Sequence, residues 1–450
     1  MVRVTDMTRG RPIRLILLFS LPLMLGSVFQ QLYTIVDTII IGRGVGMQAL
    51  ASIGAADWIN WLVLWGLQGF TQGFAILAAQ EFGAGAYDRL RRVLAMIVKL
   101  SCWFGIAVTI ISLLLVRPLL TLLHTDPAVF GGAQTYLYVQ FGGSLIIIAY
   151  NMAAAVLRCL GDSRTPLFAI IAASFANIAL DLLFVMGFGW GIFGASFATV
   201  LAQLIAFLLC LRSLRRLPFV QLTKADWKTD PAILLHLCRL GIPTGLQMSM
   251  ITLGGMVLQS VLNGFGVVFV AGYTAANKLY GILESASVAF GYAMTAYMGQ
   301  NRGARNAARI DAGIRAVLVL SAEFTAAIVT AMLVAGKPLL GLFLSTEEAG
   351  AAEALAVAYQ YLMVLMAFLF ALFMLQAYRS SLQGLGEMTV PTLSGFAEML
   401  MRMGAALVLP TFIGQSGVFF AEGAAWVCAA ALNLVWYYMR IGKIKRDMLK

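Results

Sequence analysis

Charge is what this chain has least of. Of its 450 residues only 11% are Asp, Glu, Lys or Arg, where a soluble domain carries roughly 25%. So little charge excludes a disordered segment, which stays unfolded by being polar and charged. Histidine is nearly missing: His124 and His236 are the two in the chain. They stand alone, and no His/Cys/carboxylate cluster has metal-ligand spacing, so a metalloenzyme has no visible site. The five cysteines, Cys102, Cys159, Cys210, Cys238 and Cys428, lie in or at the ends of apolar segments. A small disulfide scaffold is excluded, and they read as small hydrophobes. The apolar runs do not alternate with polar residues, which argues against an outer-membrane barrel.

What is present is apolar length. The chain is 61% hydrophobic, and a membrane span needs about 20 such residues. Twelve apolar segments lie between breaks of charge, Gly or Pro. They are Ile13–Ile41, Leu50–Ala79, Val93–Val116, Val129–Leu157, Pro166–Met186, Ile192–Leu211, Ile233–Leu262, Val267–Met298, Ile310–Ala335, Leu355–Leu382, Pro391–Ile413 and Val418–Met439. The first follows Arg9, Arg11 and Arg14, as a secretory signal would. It is too long for one and carries Gln30, Gln31 and Asp37, so it reads as an uncleaved first span.

An even number of spans puts both termini on one side. That side collects 25 of the 31 Lys and Arg residues: the arm from Arg3 to Arg14, Arg89, Arg91, Arg92, Arg158 and Arg164, and the linker from Arg212 to Arg239. Arg302, Arg305, Arg309, Arg315, Arg379 and the tail from Arg440 to Lys450 complete it. Arg43, Arg117 and Lys337 fall on the other side, and Lys99, Lys278 and Arg402 within spans. The excess places both termini in the cytoplasm. The net charge of +11 is thus a topology signal and calls for no nucleic-acid partner.

The chain is also a duplication. Shifted by about 220 residues, Gly44 and Gly46 fall on Gly264 and Gly266, Gln80 and Gly83 on Gln300 and Gly303, and Pro118 on Pro338. With five more residues, Leu160-Gly161-Asp162 and Pro166 meet Leu385-Gly386-Glu387 and Pro391. The expected fold is an all-α membrane protein of twelve helices. Residues 1–216 and 232–450 form two six-helix lobes, with 217–231 as a cytoplasmic linker. Six spans per repeat imply a pseudo-two-fold axis along the membrane normal and a substrate cavity between the lobes.

Ionisable groups inside spans are costly and point to function. Asp37, Asp57, Asp181, Lys278, Glu284, Glu323, Glu398 and Arg402 qualify. Glu398 and Arg402 stand four apart and can pair with each other. Asp57 lies near the outer end of its span, where solvent is in reach. Asp37 and Asp181 are different. Asn177 and Asp181 share a helix face, and two carboxylates with a neutral amide oxygen suit a hard cation or a proton. Their second-half counterparts, about Val257, Arg402 and Ala406, are not acids, so packing symmetry does not account for them. Glu284 is a candidate contact for a cationic substrate.

These residues resemble the multidrug and toxic compound extrusion family over essentially the whole chain. The resemblance rests on Pro22, Gln31-Leu-Tyr33 with Val36-Asp37-Thr38, and the run from Gly42-Arg43 to Leu50. It continues in Gly83-Ala-Gly85, Gly299-Gln300-Asn301, the Leu160-Gly161-Asp162 to Pro166 loop and Asn177-x-x-x-Asp181. It implies two lobes around a central cleft and, with no organic cofactor, export of amphipathic, often cationic compounds in exchange for Na⁺ or H⁺. In the DinF-like branch the coupling cation sits at residues matching Asp37, Asn177, Asp181 and Thr199, and the first span bends at the position of Pro22. The NorM-like acids of the second half are unmatched, because the seventh span has no carboxylate. Gln31, Tyr33, Glu284 and Arg402 are the substrate-cleft candidates. The chain is expected to be a monomer in a bacterial cytoplasmic membrane. A lipid-linked saccharide flippase of the same superfamily stays open as an alternative, although only Arg402 and Lys278 would be free to meet a pyrophosphate.

Overall fold

The structure, a computed structural model, describes residues 4–343 and 350–449. Arg3 and Lys450, both counted above among the cytoplasmic cations, lie outside the described residues. Within them the chain is helical throughout, with no strand. The α-helices are α1 (Pro12–Gly44), α2 (Met47–Gly83), α3 (Tyr87–Leu122), α4 (Pro127–Gly142), α5 (Ser144–Cys159), α6 (Arg164–Asp181) and α7 (Gly191–Arg215). They continue as α8 (Pro231–Leu262), α9 (Val267–Gly303), α10 (Ala307–Gly341), α11 (Ala351–Gly384), α12 (Thr389–Ile413) and α13 (Phe420–Leu449).

Helices are what long apolar runs must form in hydrocarbon, because each backbone N–H and C=O then finds its partner within the segment. Among the described residues ten helices are long and apolar enough to cross a membrane, or eleven spans if α4 and α5, which meet at a 50° bend, count as one. The fourth apolar segment of the sequence is this broken pair, interrupted at Gly143. The eighth segment lies on α9, which is 37 residues long but carries Lys278, Glu284 and Arg302 and is not among the ten. Helix lengths repeat along the chain: α2 and α9 have 37 residues each, α1 and α8 have 33 and 32. Gly46 and Gly266, which precede α2 and α9, both take positive φ, +108° and +89°, a conformation that glycine adopts without strain.

The described chain gathers into two compact units. Unit one holds Met1–Met7 and Leu21–Ser249, and unit two holds Thr8–Ser20 and Met250–Lys450. The helices α1 and α8 are therefore each shared, α1 changing unit beside Pro22.

In unit one, the start of α8 lies directly on α2. A Cβ on Gly73 would come 2.6 Å from the Gly241 Cα, and one on Gly69 2.7 Å from the Thr244 carbonyl oxygen. Gly69-x-x-x-Gly73 thus faces Gly241-x-x-x-Gly245, and small residues let the two backbones touch. The Gly161 turn ties down the N-terminal arm. The Thr5 amide donates to the Gly161 carbonyl at 3.0 Å, and a Cβ on Gly161 would meet the Thr5 carbonyl oxygen at 2.1 Å. Asp162 then accepts the Arg164 and Thr165 amides, both at 3.0 Å, starting α6 by the usual carboxylate cap.

The linker is folded onto α2 and α3. Lys99 donates to the Trp227 carbonyl and the Thr229 hydroxyl, and Phe219 packs on Phe82 and Tyr87. Burial alone would push the Asp226 carboxyl up. The Thr223 amide at 2.8 Å, its hydroxyl at 2.7 Å and Arg91 outweigh that and hold it below the usual carboxylate range.

In unit two, Ser20 at the start of α1 donates to the Ala289 carbonyl of α9 at 3.3 Å. Tyr273 of α9 and Tyr361 of α11 stack at 4.3 Å and share a hydrogen bond.

Candidate functional site: the unpaired acids of unit one

Three helices of unit one each present two polar residues four apart, the spacing that puts both on one face. They are Tyr33 and Asp37 on α1, Asn177 and Asp181 on α6, and Thr199 and Gln203 on α7. Tyr33, Asn177, Thr199 and Gln203 line one open pocket together with Gln30 and Ser174. Asp37 and Asp181, each one turn beyond a lining residue, act electrostatically on one another and on Tyr33.

The chemistry lies in what these atoms lack. Asn177 is 1% exposed and Asp181 is fully buried. Both amide atoms of Asn177, both carboxyl oxygens of Asp181 and Oδ1 of Asp37 are buried without a hydrogen-bond partner. No ion pair reaches either acid among the described residues. Native proteins rarely leave buried polar atoms orphaned, and an unpartnered group of this kind calls for an explanation. Two ionised carboxylates are acceptors only, so nothing on either can satisfy the other until a proton or a cation comes between them. The Thr199 hydroxyl donates back to the Ala195 carbonyl at 3.2 Å, which leaves its oxygen free to face a cation.

Asp181 is the last residue of α6, and a π-helical turn, Leu182–Gly187, follows it directly. Such widened turns redirect the helix and occur often at functional positions. This one sets Val185 into a cluster with Ile40 and Ile41 of α1 and Ala195 of α7. Close packing around Asp181 is thereby fixed to the end of α1, one turn beyond Asp37.

The other sequence candidates lie elsewhere. Pro22 sits within α1, which runs through it without a break. Gln31 is exposed on α1, and its neighbour Gln30 lines the pocket instead. Arg402 and Glu284 belong to unit two. Arg402 is 6% exposed and donates to Glu398 at 3.2 Å, to Glu422 at 2.8 Å and to the Ile251 carbonyl at 3.0 Å. Glu398 also takes Arg379 at 2.5 Å. Arg379 was counted above as a loop cation; the structure buries it inside α11 at 3% exposure. Glu284 stands beside this network, hydrogen-bonded to Tyr280 and acted on by Glu422 and Arg402.

Sequence reasoning missed Gln203 and Glu422. The first could have been found four residues after Thr199. The second lies near the start of the twelfth apolar segment, Val418–Met439, where it is an ionisable group inside a span like the other candidates. Among the described residues no three of His, Cys, Asp and Glu converge on a point where they could hold one metal ion.

Comparison with known proteins follows the same lines. The family model MatE matches the chain twice, over residues 22–183 and 243–408. The probable multidrug resistance protein YpnP of Bacillus subtilis is 31% identical over 455 residues, covering 99% of this chain and 98% of that protein. The multidrug export protein MepA of Staphylococcus saprophyticus is 22% identical, over 94% of this chain and 93% of that one. A MATE protein crystallised in complex with MaL6 has the same fold, with a TM-score of 0.90 at 24% identity over 99% of this chain and 100% of that one. Two matches of one family model, together spanning more than half of the sequence, and a relative alike from end to end place the chain: it belongs to the MatE family, the multidrug and toxic compound extrusion transporters, which are membrane transport proteins and not enzymes.

Proposed function

We propose that this protein is a secondary active multidrug exporter of a bacterial cytoplasmic membrane. It exchanges amphipathic, cationic compounds for inward-moving Na⁺ or H⁺, and Asp37, Asn177, Asp181 and Thr199 hold the coupling ion. The observation that carries this reading is the set of orphaned oxygens in unit one. A buried and a half-buried carboxyl without a cationic partner, a buried amide and a hydroxyl offer the hard oxygen ligands that a small cation takes, and the same carboxyls take a proton. The chain's family and the names of its relatives support drug export as the task coupled to that ion.

The proposed cycle follows from shared negative charge. A cationic drug and the coupling ion are both stabilised by Asp37 and Asp181. Binding of one disfavours the other by linkage, a reciprocal coupling worth typically 1–3 kcal/mol. An ion arriving from outside neutralises the pair, the packing of α1 between Asp37 and Pro22 changes, and the drug is released outward. In this reading the chain works as a monomer with twelve spans, both termini face the cytoplasm, and Gln31, Tyr33 and Glu284 meet the substrate.

The test is transport of ethidium in proteoliposomes under an imposed Na⁺ gradient and, separately, an imposed pH gradient. One of the two should drive export by the wild type, and Asp37→Asn should abolish it while inserting normally. Unchanged ion-driven transport in that variant overturns the reading.

A further inference from the structure

A third carboxyl belongs to the same region, and neither the resemblance nor the coupling site uses it. Asp57 lies on α2, partly buried, and the charged group that acts on it is Asp37. Tyr136 of α4 feels Asp57, Asp37 and Tyr33 together. One turn along α2 from Asp57, Asn60 donates from Nδ2 to the Tyr136 hydroxyl at 3.3 Å. Asn60 is 5% exposed, and its Oδ1 has no partner.

The packing holds this arrangement in place. Ala56 and Ile59, which flank Asp57 on α2, are buried against Ala133, Leu137 and Phe141 of α4, with Tyr136 packed on the same cluster. Tyr136 and Asn60 are therefore held against the same stretch of α2 that carries Asp57. No Lys, Arg or His is paired with Asp57, Asp37 or Asp181 among the described residues. Among the described residues unit one thus holds three carboxyls, Asp37 in electrostatic contact with each of the other two, and no ion pair to any of them. They do not converge on one point, so a single ion cannot serve all three.

We propose that Asp57 is a second cation-holding carboxyl, joined to the Asp37–Asp181 pair through Tyr136 and Asn60, so that this protein takes up two small monovalent cations per cycle rather than one. The inference rests on the coupling reading above and extends it. Asn60 Oδ1 and the Tyr136 oxygen supply the neutral ligands at the second station, and the orphaned Asn60 oxygen is accounted for by the ion it faces. Charge repulsion between Asp57 and Asp37 couples the two stations, because a positive charge at one removes part of the unfavourable field at the other.

The experiment is the ion dependence of ethidium transport in proteoliposomes, with external Na⁺ or external H⁺ varied in separate arms to tell the two ions apart. Wild-type rates should rise more steeply than first order in the active ion. Asp57→Asn should give a simple hyperbolic rise with half-activation shifted at least 5-fold upward. Asp57→Glu should restore the steepness, and Asn60→Leu, which leaves every carboxyl in place, should raise half-activation in the same direction. If Asp57→Asn keeps the wild-type steepness and half-activation while Asp37→Asn is inactive, the second station is overturned and the coupling site stands. If Asp37→Asn also transports normally, the coupling reading fails first and the second station falls with it.

Discussion

The two units treat buried acids in opposite ways. In unit two, Glu398 and Glu422 are each bound by guanidinium groups, Arg402 joining both and Arg379 adding a second contact to Glu398. In unit one, Asp37 and Asp181 have electrostatic contact with each other and no cation of the protein. Sequence repeats suggest that both units descend from one ancestor, and Arg402 stands where the alignment of the two halves puts Asn177. Unit two supplies the counter-charges of Glu398 and Glu422 from its own helices. In the proposed cycle the acids of unit one are completed by a proton or cation from outside. A paired network gives a fixed structure, and an unpaired one gives a structure whose state depends on solution.

Substitutions can break this contrast at several strengths. The largest effect is expected at the unpaired pair. Asp37→Asn or Asp181→Asn should lower ion-driven export on the order of 100-fold, toward the upper end of typical coupling energies, without lowering the melting temperature of the purified protein. In unit two the order should reverse, with stability lost first. Arg402→Met leaves Glu422 without its cation and Glu398 with Arg379 alone, and breaking a buried network from one side costs about 3–5 kcal/mol. A thermal-shift measurement in detergent should show it.

Smaller effects sharpen the boundary of the site. Thr199→Ala should weaken the coupling ion several-fold, as about 1 kcal/mol for one lost oxygen ligand implies, and Thr199→Ser should restore it; rates against ion concentration read both. Gly161→Ala forces a side chain into a left-handed φ of +91° and against the Thr5 carbonyl. It should lower thermal stability by about 1–3 kcal/mol and leave the ion dependence of transport unchanged. The smallest effect concerns the linker. The Asp226 carboxyl titrates lower in the folded chain than when free, so its contribution is full at neutral pH and is lost as pH falls below about 4. Limited proteolysis should cut near Thr223–Thr229 faster at that pH, and Asp226→Asn should cut as fast at neutral pH.

Much of this was legible in the sequence because it is local. Long apolar runs must be helices in a membrane, and each of the twelve segments lies on a helix or on the bent α4–α5 pair. The Glu398–Arg402 contact and the shared face of Asn177 and Asp181 follow from four-residue spacing. What was not legible depends on partners far along the chain or on backbone detail. Arg379 looked like a loop cation because nothing nearby reveals Glu398, nineteen residues on. Glu422, inside the twelfth apolar segment, has no local sign of its contact with Arg402, twenty residues earlier. The bend at Gly143 had a local sign in the Gly142-Gly143 pair, and the π-helical turn after Asp181 had none. Asp57 was read as an acid near solvent; it is partly buried, and the groups in electrostatic contact with it, Asp37 and Tyr136, lie on other helices.

The central claim is that the acids of unit one work because they are unpaired. It is met most directly by ethidium transport in proteoliposomes bearing Asp37→Asn and Asp181→Asn together, with the Na⁺ and pH gradients imposed one at a time. The account predicts that both gradients leave the rate at that of protein-free vesicles, while the purified variant melts no lower than the wild type, since two neutral amides relieve the repulsion that the pair creates. Export driven at the wild-type rate by either gradient in this double variant would contradict it.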